Sequence, residues 1–267
     1  MRRLHLLEIE DQRWCPVSIR DAITDLLQFA LNLGNNYACV VPRLRRALER
    51  TGTRRIIDLC SGAGGPWLGI LRAFEENEKF QIQVCLTDRY PNIAGLQRIQ
   101  KASNNKINYR KDSIDATNIP AELKGFRTLF TSFHHFRPKD AKKILRNAVQ
   151  NRQGIGVFEV ARRHPLALLG LLLLTPSIFL ITPFIRPFRW SRLLWTYLIP
   201  VVPIITLFDG VVSCLRAYTP AELRQFTEEL AGSRYMWEIG EESSYSGLPL
   251  VPITYLIGYS IQDQVGE

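Results

Sequence analysis

Two hydrophobic periodicities divide this chain. From Ser18 to Leu33, Ile19, Ala22, Ile23, Leu26, Leu27, Ala30 and Leu31 recur at intervals of three and four, the spacing of one helix face. Ser18 is a candidate cap and Asp21 its capping-box acid, and Gly34-Asn35-Asn36 breaks the pattern. A second helix is expected over Tyr37 to Arg50, with Val40, Val41, Leu44 and Leu48 on one face. From Arg54 the pattern changes to short apolar runs separated by helical stretches. Strands are expected at Ile56–Leu59, Gln81–Leu86, Ile107–Arg110, Arg127–Phe133 and Ile155–Val160. Helices are expected behind Pro66 (Trp67 to Phe74), at Pro91–Ala102 and from Arg137 to about Gln150. Such alternation predicts a parallel sheet with helices on its faces. Near the end, Thr219, Pro220 and Glu222 open a helix that Gly232 stops after about Ala231. Tyr235–Ile239 and Ile253–Ile261 then read as two strands joined by the polar loop Gly240 to Ser246, with no helix between them.

One stretch fits neither pattern. Leu166 to Ile185 is 20 residues without a charge, and Leu193 to Phe208 is another 16. Arg186, Arg189 and Arg192 lie between them, with Trp190 and Trp195 close by. A helix of about 20 residues can span a bilayer. Pro176, Pro183, Pro200 and Pro203 interrupt these segments, and the unbroken piece Leu166–Thr175 would reach only about 15 Å. Three readings follow: an apolar hairpin lying on one leaflet, a buried lid over a substrate pocket, or true spanning. The first is preferred, with arginines and tryptophans at headgroup level.

Composition adds a little. With 46% hydrophobic residues the 267-residue chain can bury a large core. Five cysteines without a C-x-x-C pair argue against a disulfide framework or a cysteine zinc site and suit a reducing compartment. The start, MRRLHLLEIEDQRW, lacks a secretory apolar core, so a cytoplasmic location is expected, with membrane association open. A net charge of +9 permits a nucleic-acid or an anionic-membrane partner and does not choose between them.

The candidate chemistry starts at Asp58-Leu59-Cys60-Ser61-Gly62-Ala63-Gly64-Gly65. An acid, a strand end and a nearly bare turn make half of a nucleotide-binding crevice. Trp67 stands where a dinucleotide fingerprint has its third glycine, and no Lys follows for a phosphate loop. The run resembles motif I of the class I S-adenosylmethionine-dependent methyltransferases, with Cys60 in place of the first glycine. That resemblance covers about Arg54 to Ile261 without the apolar stretch. It implies a Rossmann-like, seven-stranded, mostly parallel α/β sheet with an antiparallel last strand, preceded by N-terminal helices and interrupted by an apolar helical insertion. It implies S-adenosylmethionine as cofactor, with Asp58, Cys60, Gly62 and Gly64 at its methionine part and Asp88 at its ribose. Asp115 and Ala116 of Asp115-Ala116-Thr117-Asn118-Ile119-Pro120 would take the adenine, with Asp112 as a competing acid. Ser132 would complete the cofactor-binding set at the end of the fourth strand, where the family often has an acid or Asn and where the methyl acceptor should meet the sulfonium.

His134 and His135 are the candidate general bases, with at most one facing the site if the segment is extended. Glu159 is expected to pair with Arg162 or Arg163. No metal is expected, because no clustered His/Asp/Glu ligand set is visible along the chain. The division expected is residues 1–53 as a helical cap, 54–161 as cofactor-binding core, 162–210 as insertion and 211–267 as completion of the core. The function expected is methyl transfer to a small, lipophilic acceptor, with membrane contact through 166–208. The signatures of amino-directed and cytosine-C5 nucleic-acid methylation are absent, which disfavours that rival. A non-catalytic membrane-associated scaffold is the other.

Overall fold

The computed structural model describes residues 1–76, 80–230, 235–243 and 252–260. Seven strands form one sheet: β1 Arg55–Leu59, β2 Gln83–Asp88, β3 Ile107–Ser113, β4 Phe126–Phe130, β5 Ile155–Glu159, β6 Tyr235–Glu242 and β7 Ile253–Ser260. Their order is β3-β2-β1-β4-β5-β7-β6. The first five are mutually parallel and β7 runs antiparallel between β5 and β6. The order reverses between β1 and β4, so the carboxyl ends of these strands frame a crevice.

Helices cover both faces. They are α1 Val17–Asn32, α2 Val41–Thr51, α3 Trp67–Glu75, α4 Ile93–Ala102 and α5 Pro138–Gln150 before the insertion, and α10 Pro220–Glu228 after it. Strand side chains alternate between faces. Ile56 therefore packs with α2, α3 and α4 through Leu44, Leu48, Trp67, Ile70, Leu96 and Ile99. Ile57, its neighbour, packs with α5 and α10 through Ile144, Leu145 and Leu223. A third core lies off the sheet, where Ile19, Ile23 and Leu26 of α1 meet Ile178, Ile185, Val202 and Ile205 of the insertion.

The local starts and stops differ from expectation in a few places. Ser18 does not cap α1; the helix begins at Val17 behind Pro16, and Asp21 pairs with Arg189 instead. Gly34 and Asn35 break the helix in left-handed conformations, and a 3-10 stretch then runs to Val40, so α2 starts at Val41. The Thr219–Glu222 capping box forms as expected. Ala231, Gly232 and the loop beyond Ser243 lie outside the described residues.

The insertion folds as α6 Pro165–Leu174, α7 Ser177–Ile181, a 3-10 turn at Thr182–Phe184, α8 Trp190–Leu193, a π turn at Leu194–Leu198 and α9 Val201–Arg216. The helices break at Pro176 and Pro200, and Pro183 sits inside the 3-10 turn. α9 runs through position 210, so the boundary expected there falls within a helix. Among the described residues no single helix is long and apolar enough to cross a membrane. Two bent pairs reach that length and composition together, one bent by 45° at Leu174/Ser177 and one by 80° at Leu198/Val201. α6 has no buried residue. Leu166, Leu172, Leu173, Leu180, Phe184, Trp190 and Leu198 are all exposed, Trp190 to 78% and Leu198 to 76%. Beneath this apolar surface the insertion is tied to α1 by charge. Arg192 Nη1 and Arg189 Nε donate to Asp25 Oδ2 at 2.7 and 2.9 Å.

Candidate active site

The glycine turn carries the first wall. β1 ends at Leu59, and Cys60 takes a left-handed conformation, φ 58°. That geometry suits glycine and strains a residue with a Cβ. Gly64 is left-handed too, and a Cβ there would meet Ile99 Cγ1 at 2.7 Å, so its bareness lets α4 approach. The turn is held by β2. Ser61 N donates to Thr87 O, Thr87 Oγ1 donates to Asp58 O, and Gly62 N donates to Asp88 Oδ2 at 2.7 Å.

A cavity of about 510 Å³ opens beside this turn, within the ordinary range for small-molecule sites. Cys60, Ser61, Gly62, Ala63 and Gly65 line it from the turn. Asp88 and Tyr90 come from the end of β2, Asp115 and Ala116 from the segment after β3, and Thr131, Ser132 and His135 from the end of β4. The three-way convergence of turn, Asp88 and Asp115 is the one the sequence implied. Asp112 is exposed and paired with Arg110, which removes it as a competitor.

Asp88 accepts from two amides, Gly62 N and Tyr90 N; burial pushes its carboxyl up and these bonds oppose the shift. Asp115 accepts from the Thr117 amide and hydroxyl at 2.8 and 2.7 Å. Burial would raise it, but the Thr117 bonds outweigh that and hold it below the usual carboxylate value. Ser132 is buried, and its hydroxyl has no hydrogen-bond partner among the described residues.

Three expected contacts fail. Asp58 does not line the cavity: its carboxylate is buried, accepting from Ser61 Oγ and Thr128 Oγ1 at 2.6 Å each. Burial pushes its pKa up to about 7 against those two bonds. It braces the turn from behind rather than meeting a ligand. Gly64 also faces α4 rather than the cavity. His134 is buried outside the cavity lining, with Nδ1 2.7 Å from Glu159 Oε2. Glu159 is thereby taken, together with the amides of Ser132 and Phe133, and Arg162 and Arg163 pair with Glu241 and Glu222 instead. The segment is a 3-10 turn, not extended, so the two histidine rings stack at 4.4 Å rather than pointing apart.

His135 does reach the cavity. Its Nδ1 lies 2.8 Å from Glu8 Oε2 and 3.0 Å from Asp11 Oδ1. Burial alone would lower the imidazole, but these carboxylates outweigh it and hold it well above its ordinary value. An imidazole that keeps its proton is a poor general base at neutral pH.

The wall that sequence reasoning missed is the N-terminal segment. His5, Glu10 and Asp11 line the cavity, with Arg20, Thr24 and Gln28 of α1 beside them. Asp209 on α9 pins this segment by accepting from the amides of Ile9 and Glu10 at 2.8 and 3.0 Å. Arg20 pins it again through Glu10 O and Gln12 O and lies over the Tyr90 ring. Glu10 Oε2 is shielded from solvent with no partner among the described residues, and burial raises this carboxyl to about 8. The only sequence signal was the acid-rich run Glu8-Ile9-Glu10-Asp11, which has no helical or strand period. Among the described residues none from 162 to 208 lines the cavity, and α9 reaches it through Arg216.

The chain has the fold of the class I S-adenosylmethionine-dependent methyltransferases. The plantazolicin methyltransferase BpumL, in complex with a monoazolic desmethylPZN analog and SAH, superposes with a TM-score of 0.53 at 10% identity, covering 90% of both chains. Its complex with SAH alone gives 0.50 at 11% identity, again over 90% of both. The O-methyltransferase NcsB1 from neocarzinostatin biosynthesis, with S-adenosylmethionine and 2-hydroxy-5-methyl naphthoic acid, gives 0.50 at 13%; 91% of this chain covers 58% of that one. No protein-family model and no curated protein matches the sequence.

Proposed function

We propose that the protein transfers a methyl group from S-adenosylmethionine to a small, lipophilic acceptor, and that the insertion rests on a membrane surface. One observation carries the first part: within this fold, the glycine turn, Asp88 and Asp115 converge on one cavity. BpumL and NcsB1 hold SAH or S-adenosylmethionine in structures of the same fold, which supports the cofactor. Asp88, with lone pairs left beyond its two amide bonds, would take the ribose hydroxyls. Asp115 would take the adenine amino group beside the small Ala116. The cofactor supplies an activated methyl on a sulfonium; an acceptor atom forms the new bond as the S–C bond breaks and the thioether leaves. The protein's part is to align the two and exclude water. Ser132 Oγ and Glu10 Oε2, both without partners among the described residues, would hold an acceptor's polar atom.

The exposed leucines and aromatics of the insertion support the second part. Large apolar side chains exposed in such number on one insertion suit an interaction surface. Exposed Arg186 beside Trp190 suits an anionic interface. The lipophilic acceptor rests on the same surface, which a membrane-borne substrate would share.

Calorimetric titration of S-adenosylmethionine tests the first part. Saturable binding by wild type and a loss of at least about tenfold in Asp88→Ala are expected. No heat from wild type would end the reading. Co-sedimentation with phosphatidylglycerol vesicles tests the second. Binding that drops in a Leu173→Ser/Leu198→Ser double variant is expected; a wild type that stays in the supernatant would remove the membrane.

A further inference from the structure

Behind the N-terminal wall, the turn after β4 meets the end of α9. Glu8, His134 and His135 there bring one carboxylate oxygen and two imidazole nitrogens within 4.8 Å of one another. Glu8 and His134 are 0% and 1% exposed. His134 Nδ1 is taken by the Glu159 carboxylate at 2.7 Å, which leaves Nε2 as the ring atom open to a ligand. That Nε2 is shielded, has no hydrogen-bond partner among the described residues, and lies 3.9 Å from Glu8 Oε1. A buried polar atom left so is destabilising unless something binds it. The shell around it is ordered: Ser213 Oγ donates to Glu8 Oε1 at 2.9 Å, and two amides hold Glu159.

We propose that Glu8, His134 and His135 bind one divalent transition-metal ion at the wall of the cavity. Two imidazoles and a carboxylate favour zinc, iron or manganese over calcium or magnesium. Glu159 behind His134 is the carboxylate–histidine arrangement that orients a ligating ring. Tetrahedral ligands at 2.0–2.2 Å stand about 3.4 Å apart. The three ligand atoms lie within 4.8 Å of one another, so modest side-chain rotation closes them on an ion, and the unpartnered His134 Nε2 stands 3.9 Å from Glu8 Oε1. Arg216 does not fill the place, because its Nη1 sits 3.0 Å from Glu8 Oε2 while Oε1 faces His134. Asp11 is now 3.0 Å from His135 Nδ1; the ion takes the place of the proton shared there, which leaves to solvent. Three protein ligands leave a position open, and His135, which lines the cavity, directs it toward the acceptor. The sequence hid this set because Glu8 lies far from the histidines along the chain.

The proposal is independent of cofactor binding. Chelator-treated full-length protein is titrated with zinc and with manganese by calorimetry, and with cobalt by visible absorption. One ion per chain and a cobalt d–d band are expected. Affinity should fall at least about tenfold in Glu8→Gln and in His134→Ala. Because both sites are buried, His135→Asn, at the most exposed ligand, is the control for misfolding and should lose the ion with an unchanged circular dichroism spectrum. No saturable binding by wild type, or equal binding by wild type and all three variants, overturns the site. Loss of S-adenosylmethionine binding with the ion retained would sink the methyltransfer reading alone.

Discussion

The cofactor half and the insertion bury charge and grease in opposite ways. Around the glycine turn, polar atoms are turned inward and paired: Asp58 with two hydroxyls, Asp88 with two amides. In the insertion the pairs lie underneath, Arg189 and Arg192 on Asp25, and the leucines face out. A sheet domain hides its apolar surface for stability. Here ion pairs attach the insertion to α1 while its leucines stay exposed.

That contrast breaks first at Asp25. Asp25→Ala leaves Arg192 buried without its carboxylate and should cost about 3–5 kcal/mol. A fall of about 10 °C in the melting temperature is expected by calorimetry. A shift under 2 °C would mean the insertion is not held by charge. Asp58 gives the next test. Its folded carboxyl, at about 7, binds its proton more tightly than the ordinary 3.8. Its contribution to stability is therefore full below about pH 4 and lost as pH rises through 7, a decline of at most about 4 kcal/mol. Denaturant unfolding at pH 5 and pH 8 should show a shallower decline in Asp58→Asn than in wild type; parallel slopes would refute the burial-raised carboxyl. The smallest effect belongs to the outer leucines. Leu44→Ala, at 0% exposure, should cost about 2–5 kcal/mol. Leu198→Ala, at 76%, should stay within about 0.5 kcal/mol. Comparable losses would mean the outer face is covered in solution.

Much of the sheet was legible because parallel strands and their helices write two clear periods. Strand ends moved by a few residues: β2 runs Gln83–Asp88 rather than Gln81–Leu86, and β4 stops at Phe130. Asp88 and Asp115 were legible because each closes a strand or follows one at a set distance from the turn. That Asp58 turns to Ser61 and Thr128 was not legible, because motif position does not say which side of the turn a carboxylate faces. His134 and His135 were visible as chemistry, but their partners Glu159 and Glu8 come from β5 and an aperiodic N-terminal segment, and only the fold joins them. Cys60 was read as a departure from glycine; the structure adds that it keeps the glycine's left-handed backbone.

α9 has 16 residues, so it is a rod of about 24 Å. Its first turn, at Val201, adjoins exposed Leu198; its far end carries Asp209, which grips the N-terminal wall, and Arg216, which stands in the cavity. Altering the greasy tip and reshaping the cavity are therefore not separable tasks, since one stiff element belongs to both.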